Sequence, residues 1–293
     1  MTELFAFIFQ NSFLLRGFVL LFLGLIIGSF LNVVVYRLPV ILNRKWHNES
    51  INQLNIDITC PYEQINLIHP ASHCTSCKTK IPFWANIPVL GYFIVNGRCH
   101  HCYSKISVRY PFVELATGVL FVIAGYISND IILLPGLLVF ISFIVCLILI
   151  DFDTMLLPDE LTLSLLWLGL IVNLNGILSL SLANAVIGAV VGYLSLWLVY
   201  WLFKIITKRE GMGYGDFKFF AAILAWTGYN AFVVILLISS MLGIIYYIIA
   251  KVSGKLYSDE NISGHIPFGP FLGAAGLIVV LAGKYLNLAL FQL

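Results

Sequence analysis

The chain is 293 residues long, 60% hydrophobic and only 10% charged, with a formal net charge of +2. An ordinary soluble domain carries about 25% charged residues, so this composition excludes a water-soluble globular enzyme, and no nucleic-acid partner is expected. The apolar residues gather into long blocks, and about 20 of them are needed to cross a hydrocarbon core of roughly 30 Å.

Taken in chain order, spans are predicted near residues 14–36, 112–129, 131–150, 161–178, 184–206, 218–228, 229–250 and 267–288. The fold class expected is an all-α polytopic membrane protein of about eight transmembrane helices. The sixth block is too short to cross alone unless it lengthens into Gly215 or is shielded by protein. The first is too long for a signal-peptide core and carries Arg16 inside its apolar stretch, so it is expected to stay as a retained helix. Residues 46–68 form an Asn/Ile-rich stretch with no recognisable motif.

Basic residues concentrate in cytoplasmic loops. With the N-terminus outside, all but Arg16 and Lys284 of the 16 Lys and Arg fall on the cytoplasmic side. The predicted organisation is a first transmembrane helix (1–37), a cytoplasmic insert (38–110) and a membrane bundle (111–293).

The insert contains Cys74-Thr-Ser-Cys77 and Cys99-His-His-Cys102. A two-residue spacer lets both sulfurs of a pair turn toward one ion, so the two pairs supply four thiolates to a tetrahedral Zn²⁺. Disulfides or a redox dithiol are the alternative, but a cytoplasmic loop sits in reducing conditions, which favours metal. His73, His100 and His101 are neighbouring substitutes, expected to be solvated or to sit behind the ligands. Cys60 and Cys146 are expected to be unbridged, Cys146 as a small apolar residue in a span. A closed four-sulfur site leaves no position for water, so the zinc is expected to be structural.

Ionisable residues at membrane spans are costly and point to function. The third span runs directly into Asp151-Phe-Asp153, and Gly211-Met-Gly213-Tyr-Gly215-Asp216-Phe-Lys218 opens the sixth. Both ends lie on the same membrane side. Two carboxylates at one depth suit water activation, one taking a proton from water while the other donates to a carbonyl. The glycines before Asp216 would let an extended backbone approach. Plainer readings stand beside these. Asp159 suits an N-cap after Pro158; Asp153 suits a solvated interfacial carboxylate or the true partner of Asp216. Asp151 suits an ion pair with Lys218 or Arg209, and Asp216 suits the positive end of a helix dipole.

Six motifs in order resemble the type IV prepilin peptidases, membrane aspartyl proteases of the Gly-x-Gly-Asp class that includes presenilin-like enzymes. They are Gly28-Ser-Phe-Leu-Asn32 through Pro39, both Cys pairs, Arg109-Tyr-Pro111-Phe-Val-Glu114, Asp151 through Thr162, Gly211 through Lys218, and Ile266-Pro-Phe-Gly-Pro-Phe271. The resemblance implies that Asp151 and Asp216 are the catalytic pair, selecting Asp151 over Asp153 because it stands eight positions before Asp159. It implies that the four cysteines hold zinc. It also implies cleavage of basic leaders from type IV prepilins and type II secretion pseudopilins at a bacterial inner membrane. The cysteine insert marks the members that then methylate the new amine with S-adenosylmethionine, and Gly97, Arg109, Tyr110 and Glu114 are the donor-binding candidates by resemblance. Without the resemblance, a transporter with paired aspartates and a non-enzymatic scaffold with a docking insert are the competing classes. The aspartates at one face instead of the midplane, and the absence of a repeat, speak against the transporter.

Overall fold

The computed structural model describes residues 12–54, 65–128, 132–178, 180–253 and 266–282. Cys60, Lys284 and most of residues 46–68 beyond the first helix lie outside them. Among the described residues there are helices, two isolated antiparallel bridges and no strand. The chain divides into two compact units, residues 1–126 and 127–293.

The first unit opens with α1, Phe13–Gln53, whose Ser12 side chain caps it by accepting from the Leu15 N–H at 3.4 Å. Its 41 residues make about 60 Å of helix at 1.5 Å per residue, twice the hydrocarbon core. The helix therefore does not stop where the predicted span does. It runs through Pro39 and on for four turns, because a proline removes one backbone donor without forbidding the flanking residues from staying helical.

The unit closes with α3, Arg109–Ile127, which runs antiparallel to α1. Small residues let the two backbones meet: a Cβ on Gly24 would lie 2.6 Å from the Gly118 Cα, and one on Gly28 would lie 2.7 Å from the Glu114 Cα. The Asn32 amide donates to the Tyr110 carbonyl at 3.2 Å, which sets the register of the pair. Buried Arg37 donates to the carbonyls of Asn66, Leu67 and Pro70 and thereby ties the returning chain to α1. Between these helices lie a 3₁₀ turn, Phe83–Asn86, a short helix α2, Leu90–Ile94, and the two cysteine turns.

The second unit contains α4 (Leu133–Thr154), α5 (Asp159–Leu174), α6 (Leu182–Thr207), α7 (Tyr214–Thr227), α8 (Phe232–Val252) and α9 (Gly269–Ala282). Helix α7 is its centre, packed against α5, α6 and α9. From Asp216 to Thr227 every residue of α7 except Lys218 is buried. That is the shielding a 14-residue apolar helix needs, since protein neighbours replace the lipid it is too short to cross. The approach of α6 depends on missing side chains: a Cβ on Gly188 would meet the Leu224 carbonyl at 2.8 Å, and one on Gly192 the Leu224 side chain at 2.9 Å. Two buried side-chain donors in this core find carbonyl partners. Trp226 donates to the Leu165 carbonyl at 2.8 Å, and the Asn173 amide to the carbonyls of Gly169 and Ala225.

Five described helices are long and apolar enough to cross a membrane: α1, α3, α4, α6 and the Tyr229–Val252 segment that contains α8. A helix stands at each of the eight predicted spans, but α5, α7 and the described part of α9 are shorter, at 16, 14 and 14 residues.

Candidate active site and metal centre

Asp151 lies in the last turn of α4, just before the helix ends at Met155, whose left-handed backbone (φ +53°) terminates it while its N–H bonds the Asp151 carbonyl. Asp216 is the third residue of α7, one turn in from the N-cap Gly213. Both carboxylates are buried. The backbone next to Asp216 and the backbone against Asp151 meet at one side chain, Leu157.

Two glycines and one leucine hold this arrangement. A Cβ on Gly269, the first residue of α9, would fall 2.5 Å from Asp151 Oδ2 and 3.2 Å from the Leu157 side chain. A Cβ on Gly215, next to Asp216, would fall 2.8 Å from the Leu157 Cβ. Buried Leu157, in the linker between α4 and α5, thus touches the backbone beside each aspartate. The Gly269 N–H reaches the Asp151 carboxylate, but Oδ2 is buried and has no well-formed hydrogen bond among the described residues. An unsatisfied carboxylate oxygen is expensive in a core and is the kind of acceptor that a water or a substrate N–H would satisfy.

The plainer readings of the neighbouring charges sort themselves here. Lys218 pairs with Asp159 and not with Asp151, its ammonium reaching both Asp159 oxygens at 2.7 Å. Asp159 is not an N-cap: Pro158 holds that position with extended backbone, and Asp159 is the first helical residue, its side chain engaged by the lysine. Asp153 is exposed, as a solvated carboxylate should be.

A second cluster fixes the loop that carries the glycines before Asp216. Lys204 donates to Glu210 at 2.7 Å and to the Tyr200 hydroxyl at 3.0 Å, and Tyr200 donates to Glu210 at 3.3 Å. The Lys204 ammonium holds the Glu210 carboxyl below its ordinary value. Buried Tyr200 also packs on the rings of Tyr214 and Phe217, which flank Asp216 in sequence. Neither this cluster nor Leu157 was legible from residue spacing. Gly269 lay inside a matching motif, but the sequence offered no reason for it.

In the first unit the four cysteine sulfurs converge, all within 4.8 Å of one another. Cys74 and Cys102 stand 3.8 Å apart and Cys77 and Cys99 3.9 Å. Metal–sulfur bonds of about 2.3 Å in a tetrahedron place sulfurs about 3.8 Å apart, so the cluster is shaped to hold a metal ion. The two turns share one backbone design. In each, the first cysteine N–H bonds the carbonyl five residues on (Thr79, Ser104), and the N–H four residues on (Lys78, Tyr103) returns to the first cysteine carbonyl. The bridges His73–Lys80 and Arg98–Lys105 close them. The Cys77 backbone N–H and the Ser104 hydroxyl bring the Cys74 thiol down to about 5, favouring the thiolate that metal requires. Cys146 is buried and, like the four, is a free cysteine.

The remaining candidates lie on one stretch of the same unit. Arg109, Tyr110 and Glu114 share α3, and Glu114 accepts from the Val89 N–H at 2.7 Å. From Val89 the chain enters α2, where the Tyr92 carbonyl accepts from the Gly97 N–H and the Tyr92 ring covers the space a Gly97 Cβ would need.

With this geometry in view, the relatives are decisive. A curated prepilin leader peptidase/N-methyltransferase of Pseudomonas putida is 45% identical over 271 residues, 92% of each chain. Proteins of the same name from Aeromonas salmonicida and Neisseria gonorrhoeae are 46% and 42% identical, over 91% and 89% of this chain and 91% and 88% of theirs. The chain belongs to the type IV leader peptidase family. The model of that family matches residues 138–248, and the bacterial peptidase A24 N-terminal domain matches residues 22–127. The leader-peptidase match thus covers Asp151 and Asp216, and the N-terminal match covers the cysteine cluster. No solved structure matches the chain.

Proposed function

We propose that this chain is a membrane aspartyl endopeptidase that removes the leaders of type IV prepilins and pseudopilins, and that it then methylates the new N-terminal amine. The observation that carries the peptidase reading is that Asp151 and Asp216, two buried carboxylates from separate helix ends, stand beside one shared side chain, Leu157. Relatives that share more than two-fifths of its residues over nine-tenths of its length carry both activities in their names.

In the proposed reaction the ionised member of the pair takes a proton from water, whose oxygen bonds the scissile carbonyl carbon. The protonated member donates to the carbonyl oxygen. The carbon–nitrogen bond then breaks, the amine leaves with a proton from a carboxyl group, and no covalent enzyme intermediate forms. Asp151 Oδ2, buried and without a well-formed hydrogen bond, is the acceptor that this reading gives to that water.

The four thiolates suit Zn²⁺, which would stabilise the insert and leave no coordination position for catalysis. S-adenosylmethionine supplies the methyl group when bound. Gly97, Arg109, Tyr110 and Glu114 are the residues proposed to hold it, the Glu114 carboxylate suiting a cationic donor. The amine must be neutral to attack, because only then is its lone pair free. The proposed setting is a bacterial inner membrane with the N-terminus periplasmic and residues 38–110 cytoplasmic, and the functional division 1–37, 38–110 and 111–293.

The test is to incubate the purified protein in lipid with a type IV prepilin, with and without S-adenosylmethionine, and weigh the product. Loss of the leader mass with wild type but not with Asp151→Ala or Asp216→Ala, plus one methyl mass with the donor, is expected. Uncut precursor with folded wild-type protein, tried on pilin and pseudopilin substrates, would remove the peptidase reading.

A further inference from the structure

The insert of the first unit exposes large apolar side chains where a soluble domain would hide them. Phe83 is 85% exposed and Phe93 65%, and Ile87, Leu90 and Ile94 are exposed beside them in the same twelve-residue stretch. An exposed apolar patch of this density marks an interaction site.

The height of this stretch along the helices is fixed by hydrogen bonds. The Asn32 amide joins the Tyr110 carbonyl, one residue inside the start of α3. Glu114 lies four residues further in, about 6 Å along the helix axis, with its backbone against Gly28. The Val89 N–H bonds the Glu114 carboxylate at 2.7 Å. Val89, in the middle of the stretch Phe83–Ile94, therefore lies beside the second turn of an apolar helix long enough to span. The polar region of a bilayer is only about 5–8 Å deep on each side, so a segment at that height reaches the edge of the hydrocarbon. Phe112 and Leu115, on the same turns of α3, are exposed as well and continue the apolar surface.

Charge points the same way. Residues 65–113 contain Lys78, Lys80, Arg98, Lys105 and Arg109 and not one Asp or Glu. Four thiolates around a divalent ion would return two negative charges, and the segment would still be cationic. Apolar side chains on a basic background are the make-up of segments that lie in the interface of an anionic bilayer.

We propose that Phe83–Ile94 is an interfacial membrane anchor, inserting Phe83, Leu90, Phe93 and Ile94 among the lipids of an anionic leaflet and holding the cysteine insert down on the bilayer. The occupant of this face is lipid, and neither another protein nor a second copy of the chain.

The test uses the full chain carrying the photocrosslinker p-benzoylphenylalanine in place of Phe83 or Phe93, reconstituted into vesicles of phosphatidylethanolamine and phosphatidylglycerol. Phe112 replaced in the same way serves as the lipid-facing control. Glu49, exposed near the far end of α1 and about 25 Å of helix beyond Asn32, serves as the water-facing one. Lipid adducts at positions 83 and 93, at least half as abundant as at 112 and several-fold above 49, are expected, with phosphatidylglycerol labelled beyond its share of the vesicle. Protein–protein adducts at 83 and 93, or yields no higher than at 49 while 112 labels lipid, would overturn the anchor. Equal labelling of the two lipids would overturn its preference for anionic bilayers.

Discussion

The cysteine cluster and the aspartate pair are built in opposite ways. Each cysteine turn is closed within eight residues by its own backbone hydrogen bonds, so each half of the four-cysteine cluster is shaped by local structure. The aspartate site has no local half. It needs the end of α4, the start of α7 and the start of α9 at one point, with Leu157 wedged between. A locally built site fails through its ligands alone, whereas one assembled from distant helix ends fails through its supports as readily as through its reactive groups.

The sharpest way to break the comparison is at the reactive groups themselves. Asp151→Ala and Asp216→Ala should each lower leader cleavage by at least 100-fold, the low end of what a positioned acid or base contributes, without loss of bound metal. Cleavage by mass spectrometry and metal by plasma emission on the same sample check this. Equal activity would transfer the chemistry to other groups.

Next in size is Gly269→Ala. Its new Cβ would stand 2.5 Å from Asp151 Oδ2, and a shift of about 1 Å in a reacting group costs on the order of 100-fold. Cleavage should fall 10- to 100-fold with metal content unchanged. A fully active Gly269→Ala protein would show that Asp151 is not held where it works.

Cys74→Ser should act in the other direction. Bound metal should fall from about one ion per chain to a small fraction, residues 65–108 should become protease-sensitive, and methylation should fail while leader removal stays within about three-fold of wild type. Loss of both activities together would mean that the two sites depend on each other.

The smallest effect is expected at Lys218. Its pair with Asp159 is partly exposed, and such pairs contribute about 1 kcal/mol or less, so Lys218→Met should lower cleavage no more than about five-fold. The charge-swapped double variant Asp159→Lys, Lys218→Asp should recover part of the loss if the pair positions the start of α7.

The same contrast explains what could be read from residues alone. Cys74, Cys77, Cys99 and Cys102 announce themselves because ligand spacing is a local property, and the structure brings all four together. Asp151 and Asp216 were legible as rare charges at span ends, since polar groups stand out in apolar sequence. Leu157, Gly269 and the Tyr200–Lys204–Glu210 cluster were not, because a leucine or a glycine in a membrane protein looks like any other until its neighbour is known. The pairing of Lys218 with Asp159 was not legible either: in sequence Lys218 was one alternative partner for Asp151, beside Arg209, and only the packing of α5 on α7 brings it to Asp159. Helix α1 outran its expected end at Arg37 because apolar content marks where lipid stops, not where the backbone leaves the helix.

The burial of α7 also bears on how the protein responds to its membrane. A helix whose side chains meet protein in place of lipid has no hydrophobic length of its own to match to the bilayer. Thickening or thinning the surrounding membrane would therefore be met by tilting of α4, α6 and α8, the longer helices that carry exposed apolar side chains. Asp216 rides near the start of α7, a helix that its protein neighbours would insulate from that adjustment.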